Sequence, residues 1–381
     1  MNRATLLRQA CALAFIASGP APLHGQQASA EAYLPLPVPL LTIGAEGNSD
    51  YEFVALGATH RLSTGDLVVT DWQSPTIRIF SPQGQLLRKL GRKGSGPGEF
   101  QAVHDLFVAG DTLIAYDWHL RRLTRLLPAG TILGTQPIQP SAGLPVDLVA
   151  RLRDGQWLVT TAHMPNWSHG HGVYRDTLQV GVLASTASGP IAWLATSYSG
   201  MTMFAYMPSQ DQTRWVVGPL PLAAATLVRT SGDTILVGDT SISELMRWRA
   251  DGTPLSPVKL PLPTQPDLRP FLDARRDEDL AQPGAERQKP YILASYDAHR
   301  PLPRYRDFLV ASNGDIWVRL FERTPPDSSR YLVLSATGTV RARVSLASKS
   351  RILAVESPWL LVSVTNEDDL QALAVIRWEG H

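Results

Sequence analysis

The segment Ile43-Gly44-Ala45-Glu46-Gly47-Asn48-Ser49-Asp50-Tyr51-Glu52-Phe53 returns 47 positions later as Leu90-Gly91-Arg92-Lys93-Gly94-Ser95-Gly96-Pro97-Gly98-Glu99-Phe100. The two copies match without a gap at Gly44/Gly91, Gly47/Gly94, Glu52/Glu99 and Phe53/Phe100. A second signature is a Gly-Asp turn followed by an apolar run, at Gly65-Asp66-Leu67, Gly110-Asp111-Thr112-Leu113, Gly232-Asp233-Thr234-Ile235 and Gly314-Asp315-Ile316. Looser copies at Gly155-Gln156-Trp157 and Ser357-Pro358-Trp359 bring the number to six. Their spacings are 45, 45, 77, 82 and 43 residues, so two of the units are enlarged. Repetition at this period means that one supersecondary unit is used again and again, each burying its apolar surface against the next.

The unit is made of short strands. Turns such as Ser81-Pro82-Gln83-Gly84, Leu127-Pro128-Ala129-Gly130, Ala250-Asp251-Gly252, Ala336-Thr337-Gly338 and, more loosely, Ser188-Gly189-Pro190 follow each apolar run. Gly, Pro and Asp supply the backbone angles that hairpins need. Four short strands in about 45 residues is the size of a propeller blade. Runs such as Leu67-Val68-Val69 and Ile235-Leu236-Val237 are apolar on both faces, as in a sheet sandwiched between neighbours. The sixth unit offers only three strands, near Arg351–Val355, Trp359–Val364 and Ala372–Trp378, and Val38–Ile43 is expected to complete it from the other end of the chain. The expectation is therefore all-β: one six-bladed β-propeller over residues 31–381, with four-stranded antiparallel blades and the last blade closed by the N-terminal strand.

Two segments, Arg78-Ile79-Phe80-Ser81-Pro82-Gln83-Gly84 with the following Gly91–Phe100, and Asn313-Gly314-Asp315-Ile316-Trp317-Val318, resemble the NHL-repeat type of six-bladed propeller within the wider TolB-like group. The first two blades match closely, and blades three and four depart from the pattern. The resemblance implies a fold. It brings no catalytic residue with it, because propellers host many unrelated functions.

Residues 1–30 read as a cleavable signal peptide. Arg3 and Arg8 form a positive start, Ala10–Ser18 is a short apolar stretch, and cleavage is expected after Gly25 or after Ala30. The apolar stretch is too short to span a bilayer, and no later segment approaches the ~20 residues needed. The single cysteine, Cys11, lies inside this segment, so the mature chain would be cysteine-free and stabilised by its core. The expected destination is the periplasm or the medium. With 35 basic against 34 acidic residues, the charge lacks the footprint of a nucleic-acid binder.

In a four-stranded blade, the first-to-second and third-to-fourth links lie on one face of the disc, and the remaining links and crossovers lie on the other. The segments Thr160–Asp176, Ser197–Leu222, Leu262–Tyr305, Glu322–Ser329 and Asn366–Asp369 all belong to the second set. Long connections in compact domains are usually functional or mobile, so this face is the expected binding surface. Leu262–Tyr305, between blades four and five, is expected to form a short helical insertion. One helix would begin at Pro266-Asp267, and another would cover Ala285–Tyr296 with Pro290 in its first turn. Such a pair could lie over the central opening or pack elsewhere.

Candidate site residues follow from this placement. Asp71, Asp117 and Asp239 end second strands. They could ligate a cation near the axis, as in the calcium-dependent hydrolases and lyases that share the architecture, or cap the following turns. Their equivalent positions favour capping. Trp72, Trp118 and His119 follow two of these Asp residues and could stack on a ligand or grip a partner. His163, His169 and His171, beside Trp167, could hold a transition metal, although the interleaved Gly170 and Gly172 leave the array unorganised. Glu322 and Arg323 are further candidates on the same face. No nucleophile elbow, P-loop, Cys-pair zinc motif or His-Glu-x-x-His helix is present. The expected function is an exported, monomeric, non-catalytic binding protein for a small ligand or protein partner, with no cofactor. The alternative is a hydrolase or lyase dependent on calcium or another divalent cation.

Overall fold

The computed structural model describes residues 32–44, 47–72, 74–141, 145–161, 172–206, 216–264, 267–320, 328–347 and 349–380, with 195–197 and 216 by backbone alone. Six antiparallel sheets succeed one another along the chain. Sheet one comprises Leu56–Arg61, Leu67–Asp71, Ile77–Phe80 and Leu86–Leu90. Sheet two comprises Asp105–Ala109, Thr112–Asp117, Arg122–Leu126 and Ile132–Pro137. Sheets three to five begin at Val146, Thr226 and Asp307. Sheet six comprises Ser350–Glu356, Trp359–Thr365, Gln371–Arg377 and, as its outer strand, Leu41–Ile43. Leu41, Thr42 and Ile43 pair with Val375, Ala374 and Leu373, so the start and end of the chain share one sheet.

Six apolar clusters, one between each pair of successive sheets, join them into a ring, the arrangement of a β-propeller. The strand Leu67–Asp71 shows how period-two alternation builds it. Val68 packs with Leu113 of sheet two, while Leu67 and Val69 turn the other way onto Leu361 and Leu373 of sheet six. Each such fully buried side chain contributes roughly 1.5–3 kcal/mol. The repeated turns close the hairpins as their composition requires. Gly65 takes φ +89°, open to glycine and strained for other residues, and its N–H donates to the carbonyl of Leu62 at 2.9 Å.

Two sheets exceed four strands. Sheet three holds five, because Val216–Pro219 adds to Ile191–Tyr206. Much of what reads as the loop Ser197–Leu222 is therefore strand, and Gly172–Leu183 and Ile191–Tyr206 form one long hairpin. Sheet five gains Leu34–Pro35 in parallel beside Val344 and Ser345. The segment then crosses to sheet six, with Leu36 N–H donating to Ser345 O at 3.0 Å and Leu40 N–H to Val375 O at 2.9 Å. Pro35, Pro37 and Pro39 alternate with these donors, and an edge is where a residue without an N–H fits.

The insertion after sheet four is helical over Arg269–Ala281 (α1) and Lys289–Asp297 (α2), each with a proline in its first two positions. α1 buries no residue and carries the surface pairs Arg275–Glu278 and Arg276–Asp273, both at 3.0 Å. Tyr296 of α2 donates to Asp279 of α1 at 2.6 Å. Tyr291 packs on Phe204 and Tyr206 of the sheet-three hairpin, at ring-centroid distances of 5.8 and 6.2 Å, because that long hairpin offers an apolar flank. No described helix is long and apolar enough to cross a membrane.

Candidate functional site

Every first-to-second and third-to-fourth connection is short, and the long connections all emerge beside the ends of the second strands. The three Asp residues sit there. Asp71 is buried and accepts the Val54 N–H at 3.0 Å. Asp117, with no exposed surface, accepts the Gln101 N–H at 2.6 Å and the Leu120 N–H at 3.0 Å. Val54 and Gln101 directly follow the repeated Phe53 and Phe100, so the repeat encodes a latch: the buried Phe fixes the incoming crossover and the next N–H docks on the carboxylate. Third-strand arginines add to it. Arg78 donates to Glu52 O at 2.6 Å, and Arg122 donates to the equivalent Glu99 O. Asp239 differs, accepting from Ser241 N–H at 2.9 Å and Ser241 Oγ at 2.7 Å while pairing with Arg175 at 2.8 Å. These three carboxylates lie on three different sheets and are each engaged locally.

Trp72 is 62% exposed and Trp118 is 51% exposed. Trp72 lies against Gly57, where an added Cβ would come within 2.5 Å of the indole. Trp118 stacks on His119 at 4.5 Å and meets His104 edge-on at 5.3 Å. His104, Asp117 and His119 bring one ligand atom each within 4.8 Å of one another. Burial, and then the charge of His119, hold the His104 imidazole below its ordinary pKa. His163, Trp167, His169, His171, Glu322 and Arg323 lie outside the described residues.

The first strands line a central cavity of about 730 Å³, which Trp72 and Thr160 border. Asp105, Asp147 and Asp307 hold one register in sheets two, three and five. Asp105 faces Tyr116 across the hairpin, Asp147 faces Thr160 and Asp307 faces Arg319, each at the loop-bearing end of its strand. Asp307 pairs with Arg229 at 3.0 Å and, more loosely, with Arg351 at 3.7 Å. Glu356 meets His60 Nδ1 at 3.4 Å, and His60 Nε2 lies 2.7 Å from Leu106 O. Asp105 makes no ion pair among the described residues. Enclosure by protein around the cavity, and then the Asp147 carboxylate, push it up to about 6 against the opposing charges of Arg229 and His60. Its surface is open to the cavity, and the enclosing walls supply the desolvation.

Sequence reasoning missed His104 and the shared register of these three Asp residues. A signal was present for the register: Asp105-Leu106-Phe107-Val108, Asp147-Leu148-Val149 and Asp307-Phe308-Leu309-Val310 each place Asp at or next to the start of a first strand.

A family model described as a 6-bladed beta-propeller (DUF5128) matches residues 46–125, the stretch holding the repeat and its latch. No curated protein matches the chain. Among solved structures, a member of the DUF4221 family from Bacteroides vulgatus is 10% identical, with a TM-score of 0.55 over 90% of this chain and 98% of its own. A protein from Bacteroides fragilis described as exported is 12% identical, with a TM-score of 0.49 over 91% of this chain and 98% of its own. At such identity the first likeness concerns the fold alone, and with the family model and the ring of sheets it makes the chain a β-propeller.

Proposed function

We propose that the chain is an exported, non-catalytic binding propeller that holds a small, positively charged ligand at the loop-bearing mouth of its central channel. The observation that carries this reading is the shared register of Asp105, Asp147 and Asp307, with Asp105 opening on the cavity and making no ion pair among the described residues. An ammonium or guanidinium entering there would relieve the repulsion between Asp105 and Asp147, which favours the charged carboxylate. Trp72 at the rim would offer its face to the same charge. The propeller fold supports the reading as an architecture that gathers residues from all sheets around one axis. Export rests on the N-terminal segment, and protein recovered from the cell envelope or medium is expected to begin at Gln26 or Glu31 by N-terminal sequencing.

The test is a thermal-shift and calorimetric panel of ammonium, guanidinium, putrescine and arginine against the wild-type chain and Asp105→Asn. At least one cation is expected to stabilise the wild type and to lose that effect in the variant. Equal responses in both proteins would remove the channel from the argument.

A further inference from the structure

The group at the loop-bearing end of the second strand of sheet two is of a different chemical kind from the channel carboxylates. His104 lies in the link entering sheet two, Asp117 ends its second strand, and His119 follows in the next turn. Their three donor atoms already lie within 4.8 Å of one another, and no other such group of three occurs among the described residues. Around one zinc-class ion, metal–ligand bonds of about 2.1 Å at tetrahedral angles put donors about 3.4 Å apart. Donors as far apart as 4.8 Å must approach by roughly an ångström to reach that geometry. His119 is exposed and can swing to provide it.

The other two members are set in advance. Asp117 is held by the Gln101 and Leu120 N–H groups, which orient the carboxylate as outer hydrogen bonds orient metal ligands elsewhere, and each oxygen keeps a lone pair. The His104 ring is partly buried and held edge-on against Trp118, with the Ala102 backbone as a further partner. The ligand set, two imidazoles and one carboxylate, suits zinc and its first-row neighbours and leaves a coordination position open.

We propose that His104, Asp117 and His119 bind one divalent transition-metal ion of the zinc class, at the rim of the loop-bearing face. The site is independent of the channel reading, since it uses none of the channel carboxylates.

The experiment uses the full chain without an affinity tag, stripped with chelator and titrated with Co²⁺ followed by its visible absorption, then with Zn²⁺ in competition. One saturable equivalent is expected, with tetrahedral-type absorption. His119→Ala and His104→Ala should each weaken binding by at least about tenfold. The combined variant His163→Ala, His169→Ala and His171→Ala separates the other histidine-rich segment and should retain the equivalent. His119 is exposed, so its variant remains informative even if His104→Ala folds poorly. Absence of saturable binding, or binding that survives His119→Ala and disappears in the combined variant, overturns the site.

Discussion

The carboxylate of Asp117 accepts the backbone N–H of Gln101 at 2.6 Å, from the crossover that follows the buried Phe100. The same oxygen pair takes the Leu120 N–H at 3.0 Å. Asp117→Ala leaves two donors without an acceptor in a fully buried setting and should cost about 2–4 kcal/mol of stability. Urea unfolding of the metal-free protein measures it. A loss under half a kcal/mol would show that the latch contributes little.

Tyr305 is fully buried, and its hydroxyl has no hydrogen-bond partner among the described residues. Burial drives its pKa far above the ordinary tyrosine value, so the hydroxyl stays protonated and desolvated. Tyr305→Phe removes that polar group at almost constant volume. The variant is expected to be as stable as the wild type or up to about 1 kcal/mol more stable in denaturant titrations.

Gly238, in the second strand of sheet four, sits under the same tyrosine. A Cβ there would approach Leu245 Cδ2 and the Tyr305 hydroxyl at 2.5 Å each, and Phe308 at 3.0 Å. Gly238→Ala should therefore destabilise by about 1–3 kcal/mol through overpacking. Part of the loss should return in the double variant with Tyr305→Phe, because one of the colliding atoms is then gone. A double-mutant cycle that reports simple additivity would contradict this.

Asp105 supplies a pH dependence with a definite sign. Its pKa is pushed up from 3.8 to about 6 in the folded chain, so the unfolded chain ionises first as pH rises. The folded state is therefore penalised progressively between about pH 4 and pH 6, and the penalty is complete above that range. The stability advantage of Asp105→Asn over the wild type should grow across this window and then level off. Chemical unfolding at a series of pH values tests it, and a constant difference between the two proteins would contradict it.

The ring of sheets was legible because its signals are local and repeated. Gly65 and Gly84 both take positive φ in the turns that their sequence context marks, and the apolar runs between them become second strands. The Val38–Ile43 expectation was met over Leu41–Ile43, since the last unit plainly lacked a strand. The long hairpin of sheet three was not legible: from Ser197 to Tyr206 small and polar residues are mixed with aromatics and two methionines without strict alternation, and they read as loop. Site chemistry was legible only where neighbours in sequence remain neighbours in space, as for Trp118 and His119. His104 joins them only through hairpin pairing, and Asp105 meets the charge of Asp147 only when sheets two and three pack side by side. An acid opening a strand is in isolation indistinguishable from a solvated strand end.

The pairing of Leu41–Ile43 with residues 373–375 sets the timetable of assembly. Leu41–Ile43 waits for Gln371–Arg377 before it can pair, and a neighbouring tie from Leu56 N–H to Gln371 Oε1 spans 315 residues. Contacts of such reach are slow to form and pay their loop entropy before any gain. A chain that lacks residues 373–375 therefore holds both flanks of this seam open, and the circle seals only once that strand is in place.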